Sequence, residues 1–202
     1  MLNTEKNQHP VFSQTGFTFI EVLISIIILS FGLLGMVGLQ AAALQGNRDA
    51  RVQSTAVSLA RELAEMMRSN KDLALTATNP YIGDFSSDPL SPAVASYCLN
   101  VGSLPTTCID KTAIANAQMT EWLTRVSNEL PGAHIVVCVD SAPYDSAGKP
   151  RWPCDITGVG PTAVIKIGWT RASTDRTKTG AAAFERALIP SLVFPVTAGN
   201  AL

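Results

Sequence analysis

From Phe17 to Ala43 the chain carries one charged residue, Glu21, and from Val11 to Asn79 it carries no proline. The lack of charge excludes a solvated surface for this stretch. The lack of proline removes the commonest reason for a helix to break. Cysteine is absent before Cys98, and histidine occurs only as His9 and His134, so a Ser-His-Asp arrangement would rest on His134 alone. No H-E-x-x-H, P-loop, G-x-G-x-x-G or G-x-S-x-G spacing occurs. The cysteines also lack a C-x₂-C pair, which argues against a thiolate zinc site. Charge bias is missing too: 15 basic residues against 16 acidic ones give no general attraction to a polyanion. No catalytic, cofactor-binding or metal residue is expected.

What is present begins with the apolar run itself. The 27 residues from Phe17 to Ala43, at ~1.5 Å of helical rise each, exceed a ~30 Å hydrocarbon core. The plain reading is an N-terminal membrane anchor. A secretory signal peptide fits poorly, because the preceding polar part is long, the apolar part is too long, and no clean A-x-A site follows. Glu21 separates this segment from an ordinary anchor. A carboxylate in lipid costs roughly 2.5 kcal/mol or more at the bilayer centre, and so marks a functional position by default.

The residues Gly16-Phe17-Thr18-Phe19-Ile20-Glu21, followed by Val22-Leu23-Ile24, resemble the class III signal of type IV pilins and pseudopilins. The longer stretch GFTFIEVLISIIILSFGLLGMVGLQ is similar to PilV-like minor pilins, the type IV pilus modification proteins. The resemblance implies that residues 1–16 are a cytoplasmic leader, cleaved after Gly16 by prepilin peptidase, with N-methylation of Phe17. It further implies that Glu21 pairs with that new amine between subunits and guides assembly. The leader departs from the common pattern, since Glu5 cancels Lys6 and no basic residue stands just before the glycine.

Beyond the span, Val52, Ala56, Leu59, Ala60, Leu63 and Met67 keep helical spacing, which predicts one helix over 17–70, membrane-spanning over 17–43 and docked on a domain thereafter. Gly32, Gly35, Gly38 and Gly46 fit either close helix packing or, as the resemblance suggests, local melting in a filament. The stretch 70–110 is rich in turn signals, including Asn79-Pro80, Asp88-Pro89 and Leu104-Pro105, and reads as a long loop. Asp110 can cap a second helix from Lys111 to about Leu130, with Ala115, Met119, Trp122, Leu123, Val126 and Leu130 on its apolar stripe and Pro131-Gly132 ending it. Trp122 therefore reads as core. Three β runs follow, at 134–139, 163–170 and 187–196, the last interrupted or placed at an edge by Pro190 and Pro195.

All four cysteines lie after the span, which points to two disulfides in an oxidising compartment. Four cysteines allow three pairings; Cys98–Cys108 with Cys138–Cys154 keeps both loops local. Asp140, Asp145 and Asp155 do not match an EF-hand spacing and read as solvated loop carboxylates. Lys166, Arg171, Arg176, Lys178 and Arg186 make the C-terminal part locally basic, yet only Trp169 and Phe184 accompany them. A solvated turn is the better reading, and no nucleic-acid partner is expected.

The expected fold is therefore α+β and pilin-like: a long N-terminal helix packed on a small antiparallel sheet, with a second helix, and residues 71–202 forming a periplasmic or extracellular domain. The resemblance implies a minor pilin of the inner membrane and later the pilus, with prepilin peptidase, other minor pilins and the major pilin as partners and a tip adhesin as a further one. Adhesion and twitching motility would depend on it. The alternatives are a pseudopilin of a type II secretion system and a membrane-tethered binding domain that never polymerises.

Overall fold

A computed structural model describes residues 16–74, 76, 78–99, 107–158, 162–173, 175 and 177–197. Leader residues 1–15, the turn at Leu104-Pro105 and Arg176 lie outside the described residues. The chain is α+β and resolves into two units, one up to Arg48 and one from Asp49 onward.

Helix α1 runs unbroken over Phe19–Ser69, as the lack of proline predicts. Within the first unit every described residue from Gly16 to Arg48 is exposed, including Ile20, Leu23, Ile28, Leu34 and Leu39. In the second unit the same helix becomes one-sided. Ala56, Leu59, Ala60, Leu63, Ala64 and Met67 are buried at i, i+3 and i+4 spacing, and Val52 packs at the margin of that stripe. A four-residue helix α2, Lys71–Ala74, follows.

Helix α3, Lys111–Glu129, is capped by Asp110, whose Oδ1 accepts from the Ala113 amide at 2.7 Å. Its predicted apolar stripe is the buried one, Leu130 included. The Trp122 indole donates to the Leu59 carbonyl of α1 at 3.0 Å, which gives a buried N–H its acceptor and fixes one helix against the other. Arg125 and Glu62 pair at the rim of this contact. Gly132 then turns the chain with φ +55, a left-handed conformation that favours glycine.

The main sheet has four antiparallel strands in the order β1 (Gly83–Phe85), β2 (His134–Asp140), β3 (Thr162–Gly168) and β6 (Leu192–Val196). Register pairs Phe85 with Ile135, Ile135 with Ile167, Val137 with Ile165, and Ile165 with Phe194. These residues share one face and meet α1 and α3 in a single core with Tyr81, Met119 and Trp122. A separate ribbon pairs β4 (Arg171–Ala172) with β5 (Phe184–Glu185), the latter preceded by a 3₁₀ turn at Gly180–Ala183.

Three expectations need correction. The stretch 70–110 holds strand β1, too short to show a period of two. The third β run is shorter than 187–196: only Leu192–Val196 joins the sheet, at the edge position its prolines led one to expect, where Pro195 costs no needed ladder bond. Phe184–Glu185, ahead of that run, pairs in the ribbon. The loop after β1 is also organised along α3. The Leu90 amide donates to Ser127 Oγ at 3.0 Å and the Ser96 amide to Thr120 Oγ1 at 3.0 Å, so its backbone groups find partners without a ladder.

The sheet is covered on both faces. The side opposite the core carries Val136, Cys138, Asp140, Val164, Lys166 and Gly168 by register, and segment 141–158 lies over it. That is why β3 reads as an almost continuously buried strand rather than an alternating one.

Candidate processing and assembly site

Gly16 and Phe17 precede the helix, and both are exposed. A Cβ built on Gly16 would meet nothing within 4 Å. The junction between them is thus exposed. Thr18 sets the first turn: its carbonyl accepts from the Glu21 amide at 3.1 Å and the Val22 amide at 3.4 Å. Thr18 is therefore the N-cap and Glu21 the third helical residue. That position places the carboxylate beside the partial positive charge of the helix N-terminus, which offsets part of the cost of holding it near lipid. The T-x-x-E spacing is a helix-start signature that sequence reasoning alone could have used.

After Glu21 the helix continues without a charge to Arg48. At mean hydropathy 2.6 with none of that window buried, it is long and apolar enough to cross a membrane. The Ser25 and Ser30 hydroxyls donate to the carbonyls of Glu21 and Ile26, both at 2.7 Å, so neither polar side chain is left bare on the apolar surface.

Residues 12–37 match the family model described as the prokaryotic N-terminal methylation motif. This is a type IV pilin-type signal. No curated protein and no solved structure matches the chain significantly. The signal, the apolar helix and the α+β domain support a pilin-like protein of a pilus or pseudopilus, processed by prepilin peptidase, anchored in a membrane and assembled with other pilins.

The cysteines sit on the second unit. Cys98 is bonded to Cys108, with Cα atoms 5.1 Å apart, and Cys138 to Cys154, with Cα atoms 6.4 Å apart. The first bond staples the segment that runs along α3. The second ties β2 to the segment covering the outer sheet face. Asp140 lies close to Cys138 and Cys154, but sulfurs bonded to each other offer no thiolate to a metal.

Two residues read as solvated are the reverse. Lys166 and Asp140 have side chains wholly removed from solvent, with Nζ 2.6 Å from Oδ2. Lys166 also donates to the carbonyls of Trp152 at 3.3 Å and Pro153 at 2.9 Å. Asp140 Oδ1 accepts from the amides of Ala142 at 2.9 Å and Asp155 at 3.1 Å. Burial pushes the Asp140 carboxyl upward, but the Lys166 ammonium and the two amides outweigh it and hold it below the usual carboxylate range. The signal that could have found the pair is Cys138. Its partner on a later loop implies that the loop covers the face shared by Asp140 and Lys166.

The remaining basic residues disperse. Arg171 lies over the Trp169 ring at 5.0 Å, and Lys178 pairs with Glu185. Nearby, the Trp152 ring stacks on His134 at 4.0 Å, its indole donates to the Leu188 carbonyl at 3.1 Å, and His134 Nε2 lies 2.8 Å from Asp84 Oδ1. Gly168 makes room for this: a Cβ there would lie 2.9 Å from Trp152 Cζ2 and 2.8 Å from Ala187 Cβ.

Proposed function

We propose that the chain is a PilV-like minor pilin that takes part in initiating type IV pilus assembly, within a complex of minor pilins at the filament tip. The observation that carries this reading is the junction: an exposed Gly16–Phe17 pair, Glu21 in the first helical turn, and an uncharged helix beyond it. Cleavage after Gly16 leaves an α-amine on Phe17, about one turn from Glu21, and methylation keeps it basic. Opposite charges in a low-dielectric setting attract far more strongly than in water, so an amine on one subunit and Glu21 on another each lower the cost of burying the other. The same chemistry gives an entering subunit its register.

In this reading the domain faces the periplasm before assembly and the cell exterior afterwards, where it contacts other minor pilins, the major pilin and a tip adhesin. Its role is structural. The motor and its nucleotide belong to other proteins, and adhesion and twitching motility follow from the filament. A pseudopilin of a type II secretion system would use the same signal. A deletion strain separates the two: loss of surface pili and twitching with exoprotein secretion intact supports the minor pilin. Loss of secretion with normal pili would replace it with the pseudopilin.

A further inference from the structure

We propose that the Cys138–Cys154 disulfide is the latch of a lid, segment 141–158, and that thiol–disulfide exchange at this bond decides whether the outer sheet face and Lys166 are sealed. The two sulfurs are placed unequally. Cys138 is half-buried on β2, whereas Cys154, on the lid, is exposed. Exchange begins with attack of a thiolate on a reachable sulfur, and Cys154 is where a protein dithiol can reach.

What lies beneath depends on where the latch holds the lid. Among the described residues, two of the three groups around the Lys166 ammonium are the carbonyls of Trp152 and Pro153, the residues immediately before Cys154. Asp140, the third, takes its two backbone amides from Ala142 and Asp155, one from each end of the lid. Lifting the lid strips Lys166 of its carbonyl acceptors and Asp140 of the Asp155 amide in one movement, and water replaces them. The other fastenings to the rest of the domain are non-covalent, among them the Trp152 stack on His134 and the bond from the Trp152 indole to the Leu188 carbonyl at 3.1 Å. The Arg151 Nε bond to the Ala142 carbonyl at 2.6 Å and the bond from Ser141 Oγ to the Asp155 carbonyl at 2.8 Å hold the lid to itself. The Cys98–Cys108 bond closes a different loop beside α3, which makes it an internal control.

Closing is a two-electron step. The thiols of Cys138 and Cys154 lose two protons and two electrons to a disulfide of a protein oxidant, which leaves as a dithiol; opening is the reverse, with a dithiol as donor. A chain exported to an oxidising compartment thus completes this face only after arrival. The inference is independent of the pilus reading.

The test is amine acetylation of the full-length chain in detergent micelles, read at Lys166 by peptide mass spectrometry, with amide exchange of α3 as the reference for global unfolding. In the oxidised protein Lys166 is protected while exposed Lys111 reacts. Cys138→Ser/Cys154→Ser raises the Lys166 rate on the order of 100-fold, the scale expected for freeing a loop of this size, while α3 stays protected. Folded Cys98→Ser/Cys108→Ser behaves like the parent until a dithiol is added and then matches the open variant, which covers failure of the first variant to fold. Unchanged protection of Lys166 after loss of the Cys138–Cys154 bond overturns the proposal. So does labelling that appears only in step with loss of α3 protection.

Discussion

Lys166 and Asp140 lie on adjacent strands, β3 and β2, and meet with Nζ 2.6 Å from Oδ2 on the sheet face away from the main core, both out of solvent. Each has a second set of partners on the segment that covers that face. Desolvating two charges is costly, and these further hydrogen bonds are what make such a pair tolerable. The pair therefore specifies one position of the covering segment over the sheet.

Removing one charge should cost far more than removing both. Lys166→Met leaves a buried carboxylate with only its amide donors, and a loss of about 3–5 kcal/mol is expected. Adding Asp140→Asn should recover much of it. Denaturant titration of the full chain in detergent, followed by far-UV circular dichroism, checks this. A Lys166→Met cost below about 1 kcal/mol would mean that the side chain is solvated.

Acid should loosen the same region. The Asp140 carboxyl is held below its ordinary value, so its contribution is present above the unfolded value of about 3.9 and is lost as pH falls through the folded value. Asp155 is lowered too, first by Thr157 and then by Arg151, but is more exposed and counts for less. Stability should be flat near neutrality and drop below about pH 4, and the gap between the parent and Asp140→Asn should narrow there. A gap that does not change with pH would sink this account.

Gly168→Ala should displace the Trp152 ring. The added Cβ would sit 2.9 Å from the ring and 2.8 Å from Ala187. A cost of roughly 1–3 kcal/mol follows from overpacking. The direct readout is the His134 ring resonance, shifted in the parent by the Trp152 face stacked on it at 4.0 Å. A His134 resonance that keeps the parent's shift in the variant would contradict the packing.

How legible was all this? The helices were, because Leu59, Leu63 and Met67 on α1 and Met119, Trp122 and Val126 on α3 keep a 3.6-residue period over many turns. The Cys98 and Cys138 bonds match the short-loop pairing expected from spacing. Strand β1 was not legible: three residues show no period, and their pairing with Ile135 to Val137 is set by distant chain. Lys166 and Asp140 misled for a related reason. Charge is a good marker of exposure until a loop fixed from elsewhere covers it, and here Cys154 does the fixing. At the N-terminus the motif supplied Gly16, Phe17 and Glu21, while the exposure of the junction had to come from the structure.

Glu21→Ala should leave membrane insertion intact, since it removes the one charge of the apolar stretch, yet lower recovery in sheared pili several-fold. Quantitative immunoblotting of membrane and sheared fractions decides. Equal recovery in pili would show that the carboxylate has no part in assembly.

The most direct test of the pilin reading is the intact mass of the protein, without reductant, from native membranes and from sheared pili. The account predicts a chain that starts at N-methylated Phe17, lacks four hydrogens for its two disulfides, and occurs in the sheared fraction. A chain that retains residues 1–16 and is found only in membranes would contradict it, and a tethered domain that never polymerises would take its place.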